Sequence, residues 1–328
     1  MHTFAGVYTP LATPFAADGS LDTRALARNV GKYLKSPLTG LVVLGSNGEA
    51  PQLDEDEADL AIRTVRDAMP KNRPLLAGTG RESTAATIAA TRRAADLGVD
   101  AVLVRTPSFY KGQMTTDAFV RHYTAVADRS PVPVLLYNVT MYTGVNLLPD
   151  AIATLSRHPN IVGVKETNSD MVQFGEYLAR AEEGFTVLAG SGATYYSALA
   201  LGAHGAILAV GGVAPKLCTD IFDAVRDGRL DEARAMHRRL APLSKLVGAQ
   251  YGVPGLKAAI TLCGLEGGQP RPPLQPVPPA AVDAIRAALA ELNLLGPAAQ
   301  QTRGGDPVSP TAQQTRGGDP VETSDVAR

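Results

Sequence analysis

Short, continuous apolar runs alternate with longer amphipathic segments along most of the chain. Runs of this kind, rather than strictly alternating ones, are typical of strands that are covered on both faces of a parallel sheet. Eight strands are predicted, at residues 6–14, 40–46, 74–79, 100–106, 132–139, 161–166, 185–190 and 205–211.

Amphipathic segments between these runs carry helix start and stop signals. Asp54 and Ser83 are helix-capping residue types at the beginning of two segments, and Gly98 lies where the second segment should end. The periodicity predicts helices at residues 22–35, 54–69, 84–97, 115–129, 149–157, 169–182, 193–202 and 215–227, with further helices at 230–250, 254–264 and 279–294.

Eight strand–helix units predict an α/β fold, a (β/α)8 TIM barrel with additional C-terminal helices. We assign the barrel to residues 1–228 and a helical extension packed on it to residues 229–296. A doubly wound sheet is the alternative, but it needs a glycine fingerprint after its first strand, and the sequence Gly6-Val7-Tyr8-Thr9-Pro10 is not one.

The last part of the chain, residues 297–328, has almost no bulky apolar residues. One decapeptide, Ala-Gln-Gln-Thr-Arg-Gly-Gly-Asp-Pro-Val, occurs at residues 299–308 and again at 312–321. Because such a polar repeat cannot bury a core, we predict a disordered, low-complexity tail.

Composition narrows the possible functions. A formal net charge of −1 over 328 residues gives no electrostatic basis for binding nucleic acid or an anionic membrane. Two cysteines allow neither a disulfide framework nor a cysteine zinc cluster, and the histidines lack metal-ligand spacing. No apolar run is long enough to span a membrane, and no leader pattern begins the chain. We therefore expect a cytoplasmic protein with no metal and no cofactor.

Lys165 is the most unusual residue at the carboxyl ends of the predicted strands, where the active site of a barrel lies. It is one of eight lysines and lies inside an apolar strand, Ile161-Val162-Gly163-Val164-Lys165. Burial without a partner disfavours the ammonium, and a neutral amine is a nucleophile that can form a Schiff base with a carbonyl. The alternative is a structural lysine that is paired with Glu166 or that extends its ammonium into solvent at the end of the strand.

Two further features would lie beside Lys165. Tyr137 ends the preceding strand, where its phenol could transfer protons, although a core tyrosine is the alternative. The loop after the second strand, Gly45-Ser46-Asn47-Gly48-Glu49, offers a few neutral donors that suit a carboxylate, although it could be a plain turn. Glycines at 190, 192, 211 and 212 keep a phosphosugar enzyme open as an alternative.

These motifs resemble those of the dihydrodipicolinate synthase/N-acetylneuraminate lyase family of class I aldolases. The loop Gly45-Ser46-Asn47-Gly48-Glu49 is similar to the Gly-Thr-Thr-Gly-Glu loop of the family. Leu136-Tyr137-Asn138-Val139 is similar to its tyrosine strand, and Val162-Gly163-Val164-Lys165-Glu166 to its lysine strand. The resemblance covers residues 4–295 and implies a (β/α)8 enzyme that binds pyruvate on a lysine, often as a homo-oligomer (a dimer or tetramer).

Within the family, Ser46-Asn47 is most similar to the loop of 4-hydroxy-2-oxoglutarate aldolases, as are the segments 68–73, 158–163 and 253–257. The family's dihydrodipicolinate synthases carry a carboxylate-binding arginine five residues after the tyrosine, where this chain has Tyr142. The family also supplies a relay tyrosine from a neighbouring subunit. That position is Phe109 here, and Tyr110 is the adjacent candidate.

The resulting hypothesis is a class I aldolase, a carbon–carbon lyase, that cleaves 4-hydroxy-2-oxoglutarate to pyruvate and glyoxylate. The predicted catalytic residues are Lys165, Tyr137 and Ser46. The predicted substrate-binding residues are Ser46, Asn47, Gly48, Thr167, Ser191 and Tyr142. Alternatives are a synthase that condenses pyruvate with aspartate semialdehyde, a 2-keto-3-deoxy sugar acid aldolase or dehydratase, and a catalytically silent barrel that binds an oxo acid.

Overall fold

Eight parallel strands form a closed barrel in chain order, and the eighth strand pairs with the first. The computed structural model describes residues 3–301 of the chain. The predicted TIM barrel is thereby confirmed. Its strands are β1 (Gly6–Pro10), β2 (Gly40–Val43), β3 (Leu75–Gly78), β4 (Ala101–Arg105), β5 (Val134–Asn138), β6 (Ile161–Glu166), β7 (Thr186–Ala189) and β8 (Gly205–Ile207).

Helices surround the barrel and continue beyond it. Those that belong to the barrel are α1 (Thr23–Tyr33), α2 (Glu55–Ala68), α3 (Thr84–Asp96), α4 (Thr116–Ala127), α5 (Thr140–Thr143), α6 (Pro149–Leu155), α7 (Met171–Arg180), α8 (Tyr195–Ala200) and α9 (Pro215–Arg226). The extension contains α10 (Leu230–Lys245), α11 (Gly252–Leu262), α12 (Pro279–Glu291) and α13 (Pro297–Gln301), and a π-helical segment, Leu246–Gln250, leads from α10 towards α11. Within residues 3–301, no helix is long and apolar enough to cross a membrane.

The predicted helix caps form as expected. The Asp54 side chain accepts a hydrogen bond from the backbone N–H of Glu57, and the Glu57 side chain accepts one from the N–H of Asp54. Ser83 accepts from the N–H of Ala86 at the beginning of α3. Gly98 has a φ of +83°, in the left-handed region that favours glycine after a helix.

Several strands end earlier than their apolar runs predict. β2 ends at Val43 because Leu44 takes a left-handed φ of 56° and the chain then enters a 3-10 turn, Ser46–Gly48. After β8, residues Ala209–Gly212 also form a 3-10 turn rather than strand. The residues after β2 and β8 are apolar because they are buried at the mouth of the barrel. Hydrophobicity alone does not distinguish such buried turns from paired strands.

Five residues of the predicted tail lie within the described part of the chain. Pro297–Gln301 forms helix α13, and the side chain of Arg286 donates a hydrogen bond to the carbonyl of Ala299 at 3.2 Å. The expected absence of regular structure does not hold for these five residues, since a short polar helix can pack on an existing surface, and the boundary of the tail stays a prediction. Residues 302–328, with most of the repeated decapeptide, lie outside the described residues.

The core has two layers. Inside the barrel, alternate strand residues pack together: Tyr8, Val42, Leu76, Ala101, Leu103, Leu135, Tyr137, Leu188 and Ile207. The opposite faces of the strands pack against the helices in a larger cluster. Because side chains alternate between the two faces of a strand, each inward position has a predictable neighbour on the next strand.

His122 on α4 is buried against α3, with its Nδ1 2.9 Å from the hydroxyl of Thr84. Burial lowers the pKa of this imidazole from its usual 6.5 to about 4, although Glu82 opposes the shift. As the pH falls, His122 is therefore protonated at a higher pH in the unfolded chain than in the folded protein. The stability that the neutral imidazole contributes is complete above pH 6.5 and is lost as the pH falls towards 4.

We predict that replacing His122 with Gln will make stability less dependent on pH in this range. Urea unfolding between pH 7 and 4.5 measures the effect. As the pH falls, protonation of His122 should lower the wild-type free energy of unfolding by up to about 1.4 kcal/mol per pH unit. The His122→Gln variant should lack this decrease. Parallel pH profiles for the two proteins would contradict the assignment.

Candidate active site

Three polar side chains lie next to one another at the mouth of the barrel, on the adjacent strands β4, β5 and β6. Arg105 pairs in register with Tyr137, and Tyr137 pairs with Lys165. Directly paired residues of parallel strands point to the same side of the sheet, and Tyr137 belongs to the inner layer. The register therefore directs all three side chains into the barrel at its carboxyl end.

Lys165 is 5% exposed and lies beside Tyr137, with Nζ 4.1 Å from the centroid of the phenol ring. No hydrogen bond or ion pair joins its ammonium group to any other residue from 3 to 301. An amine that is buried in this way, without a carboxylate partner, is a candidate nucleophile.

Glu166, the next residue, points to the other face of the sheet and is fully occupied there. Its carboxylate accepts hydrogen bonds from the side chains of Asn138 and Gln173 and from the backbone N–H of Asn168. Burial raises the pKa of Glu166, and these donors partly offset the shift. The alternative of a structural Lys165–Glu166 ion pair is therefore wrong, because adjacent strand residues face opposite sides.

Gly190, after β7, leaves room for the lysine side chain. A Cβ on this residue would lie 3.1 Å from Lys165 Cε and 2.4 Å from Thr167 Oγ1. The Thr167 hydroxyl is buried and has no hydrogen-bond partner among the described residues. Ser191 Oγ accepts from the N–H of Ala193.

The loop after β2 brings Ser46 to the phenol. Ser46 Oγ and Tyr137 Oη are 3.5 Å apart, at the limit of a hydrogen bond. Thr13 donates a hydrogen bond of 2.7 Å to the carbonyl of Gly48, where a Cβ would come within 3.1 Å of the Leu11 carbonyl. Asn47 is half-buried in the same turn.

A buried ion pair anchors this loop to the C-terminal extension. Glu49, with a left-handed φ of 56°, follows the turn, and its Oε1 is 2.5 Å from Nζ of Lys257 on α11. Lys257 also donates to the Gln269 carbonyl and lies 4.4 Å from the centre of the Phe15 ring. Burial lowers the pKa of Lys257, and Glu49 opposes the shift. The N–H of Arg271 donates to the second Glu49 oxygen.

Two adjoining cavities open at the mouth. The smaller, about 320 Å³, is lined by residues that include Tyr137, Ser46 and Arg105. The larger, about 520 Å³, shares Ser46 and Arg105 with it and extends to Tyr142, Val139 and Tyr251. Of the predicted site residues, Asn47, Gly48, Lys165, Thr167 and Ser191 line neither cavity.

Phe109 and Tyr110 lie on the surface of the single chain, 77% and 71% exposed. Their rings contact each other at a centroid distance of 5.1 Å, and neither lines a cavity at the mouth. Glu82 holds this loop by accepting hydrogen bonds from the N–H groups of Ser108 and Phe109. The loop does not bring Tyr110 to Tyr137 within one chain.

Sequence reasoning missed Arg105, Glu82 and Lys257. A signal for Arg105 was present, since it is a charged residue in the second-last position of the apolar run 100–106, as Lys165 is in the run 161–166. No comparable signal marks Lys257, because its partner Glu49 is more than two hundred residues away along the chain.

The fold and the site together define the class of the protein. A parallel (β/α)8 barrel has its active site at the carboxyl ends of its strands, where this chain places Lys165, buried and without an ion-pair partner among residues 3–301, beside Tyr137. This is an enzyme of the class I aldolase type, which works through a lysine Schiff base.

The chain belongs to the dihydrodipicolinate synthetase family, which it matches over residues 3–292. It is 39% identical over 275 residues to a 4-hydroxy-tetrahydrodipicolinate synthase of Xanthomonas axonopodis pv. citri, covering 84% of this chain and 90% of that protein. A synthase of the same name from Exiguobacterium sp. is 36% identical over 291 residues, covering 88% of this chain and 98% of that protein. The crystal structure of dihydrodipicolinate synthase from Thermotoga maritima has a TM-score of 0.86 and 32% identity, covering 90% of this chain and all of that one.

These relatives confirm the family that the motifs suggested and favour the synthase alternative over the 4-hydroxy-2-oxoglutarate aldolase that the sequence analysis put first. They also argue against the phosphosugar enzyme and the silent barrel.

We predict that Lys257→Met will disturb the loop that carries Ser46. Removing one member of a buried ion pair leaves the other charge without compensation and costs about 3–5 kcal/mol. Urea unfolding should show this loss, and turnover at a temperature where the variant is folded should fall as well. Lys216→Met is the matched control, because Lys216 pairs with Asp220 in solvent and is 78% exposed. Equal stability of the two variants would contradict the prediction.

Proposed function

We propose that Lys165 attacks the ketone carbon of pyruvate and forms an imine with loss of water. The observation that carries this proposal is that Lys165 is buried, has no ion-pair partner in the described part of the chain, and lies 4.1 Å from the Tyr137 ring. The imine withdraws electrons from C3 of pyruvate, so a C3 proton can leave and an enamine forms. Tyr137, with Ser46 at 3.5 Å, is the proposed proton carrier for these steps.

The pyruvate carboxylate is proposed to bind the turn after β2. The N–H groups of Ser46 and Asn47 begin this 3-10 turn and have no backbone acceptor within it. Together with the two side chains, they offer donors without a fixed positive charge. Such a site suits a single carboxylate close to the reacting lysine.

For the second half of the reaction we propose condensation with aspartate semialdehyde, as the names of the relatives indicate. C3 of the enamine attacks the aldehyde carbon, a carbon–carbon bond forms, and the aldehyde oxygen takes up a proton. The amino group of the semialdehyde then attacks the imine carbon and displaces Lys165. The ring closes to 4-hydroxy-tetrahydrodipicolinate, and the lysine amine is free again.

Cleavage of 4-hydroxy-2-oxoglutarate remains the second candidate, because one observation favours it. Tyr142 lines the larger cavity at the position where the resemblance leads us to expect an arginine. A phenol offers one neutral hydrogen bond in place of a bidentate guanidinium. In this reaction the C4 hydroxyl loses its proton and the C3–C4 bond breaks, which releases glyoxylate. The enamine is then protonated and hydrolysed to pyruvate.

Trapping with borohydride tests the formation of an imine on Lys165, the step that both candidate reactions share. Wild-type protein treated with pyruvate and borohydride should gain one carboxyethyl group on Lys165, which is the mass of pyruvic acid less one water plus two hydrogens, and Lys165→Ala should gain none. Tyr137→Phe should still be trapped but should lose about 100- to 10,000-fold in kcat, because only proton transfer is impaired. Tyr195→Phe, which loses a buried hydroxyl outside the barrel, is the control and should keep its turnover. Full activity of Lys165→Ala would overturn the mechanism.

A substrate panel separates the two candidates. Pyruvate consumption is measured with aspartate semialdehyde, and pyruvate release is measured with 4-hydroxy-2-oxoglutarate and with 2-keto-3-deoxy sugar acids. We expect kcat/KM to be highest for aspartate semialdehyde. A higher value for 4-hydroxy-2-oxoglutarate would make the chain an aldolase and would overturn the synthase proposal, while leaving the Schiff base intact.

We also propose that the enzyme is a dimer or tetramer whose chains meet at the loop of Phe109 and Tyr110. Support comes from two large aromatic side chains that are exposed next to each other beside the mouth. One solved structure that is similar to this chain is described as the first monomeric dihydrodipicolinate synthase variant. The mass of the intact protein by light scattering decides the question, and a monomer would overturn the proposal.

A further inference from the structure

Arg105 is a charged residue at the mouth to which neither proposed reaction assigns a role. It ends β4, pairs in register with Tyr137, and lines both cavities. Among the described residues that line the larger cavity, it is the only basic one. A guanidinium in this position is suited to bind an anionic group of the substrate.

The guanidinium is only partly occupied by the protein. Its Nη1 donates to Glu82 at 2.7 Å and to the Thr106 carbonyl at 3.2 Å. No acceptor within residues 3–301 contacts its Nη2 or Nε. Glu82 also accepts hydrogen bonds from the N–H groups of Ser108 and Phe109, so Arg105 is not the only group that stabilises its negative charge.

Arg81, the other arginine at the mouth, differs in this respect. Its Nε and Nη2 both donate to the carboxylate of Glu55, at 3.0 and 3.3 Å, and its Nη1 donates to the Gly80 carbonyl. Each nitrogen of this guanidinium therefore has a protein acceptor, and Arg81 lines only the smaller of the two cavities.

The spacing of the strands places Arg105 within reach of a substrate on Lys165. Neighbouring strands are about 4.8 Å apart, so two strand spacings separate the backbones of these residues by about 10 Å. Both side chains point into the mouth, with Tyr137 between them. A short chain with a carboxylate at each end can span the remaining distance.

We propose that Arg105 binds the carboxylate that the second substrate carries beyond the reacting bond. The inference rests on the proposed function, and both candidate substrates have such a carboxylate. Arg105 would thus supply from β4 the guanidinium that Tyr142 does not supply from helix α5. It is a specificity-determining residue that selects acidic aldehydes, or the acidic ends of cleavable oxo acids, over neutral ones.

The test compares a matched pair of aldehydes, succinate semialdehyde and butanal, as partners for pyruvate. The ratio of their kcat/KM values measures selection for the carboxylate. Arg105→Gln should lower this ratio about 10- to 100-fold, mainly through KM for the acidic aldehyde, because a charge-assisted hydrogen bond is lost. Butanal turnover and pyruvate trapping on Lys165 should change little. Arg81→Gln, the matched control, should keep the wild-type ratio.

A purely structural role for Arg105 would slow both aldehydes equally through Glu82 and its loop, and that outcome would overturn the proposal. If Arg105→Gln does not fold, Arg105→Lys provides the test: its single ammonium should give a ratio clearly below that of wild type. An unchanged ratio would overturn the proposal. Failure of the wild-type protein to trap pyruvate would overturn the proposed function as well, whereas normal trapping with an unchanged ratio would overturn the role of Arg105 alone.

Discussion

The in-register pairing of β4, β5 and β6 is the constraint on which the site depends. Parallel strands in a closed barrel have no free edge, and a slip by one residue would turn every inward side chain outward. With the observed register, Arg105, Tyr137 and Lys165 face the mouth and Glu166 faces the helices. Backbone hydrogen bonding thus decides which of two adjacent charged residues, Lys165 or Glu166, can meet a substrate.

The C-terminal extension contacts the proposed carboxylate-binding turn as well as the core. Lys257 on α11 neutralises Glu49 at the end of the turn that carries Ser46, and the backbone N–H of Arg271 binds the same carboxylate. The Arg271 side chain adds a bidentate contact with Glu57 at the beginning of α2. These contacts hold the proposed carboxylate-binding turn against the barrel, so the helices beyond the eight units are part of the site.

Much of the fold could be predicted from the sequence, because local patterns report burial. The eight apolar runs correspond to the eight strands, and the caps at Asp54 and Ser83 form as predicted, since these signals depend on nearest neighbours along the chain. Strand ends were less predictable, as at Val43 and Ile207, because residues at the mouth are apolar whether or not they pair. Lys165 and Tyr137 could be predicted as site residues from their residue types and from their positions near the ends of two apolar runs.

The sequence by itself determined the barrel, its family, and the pair of a lysine and a tyrosine at neighbouring strand ends. Only the tertiary structure decided that Lys165 is free of Glu166, that Glu49 is paired with Lys257, and that Arg105 shares a cavity with Tyr142. The physical reason is the distance along the chain over which each kind of interaction acts. Hydrophobic periodicity and capping act over a few residues, whereas ion pairing and cavity lining depend on how closure of the barrel brings distant segments together.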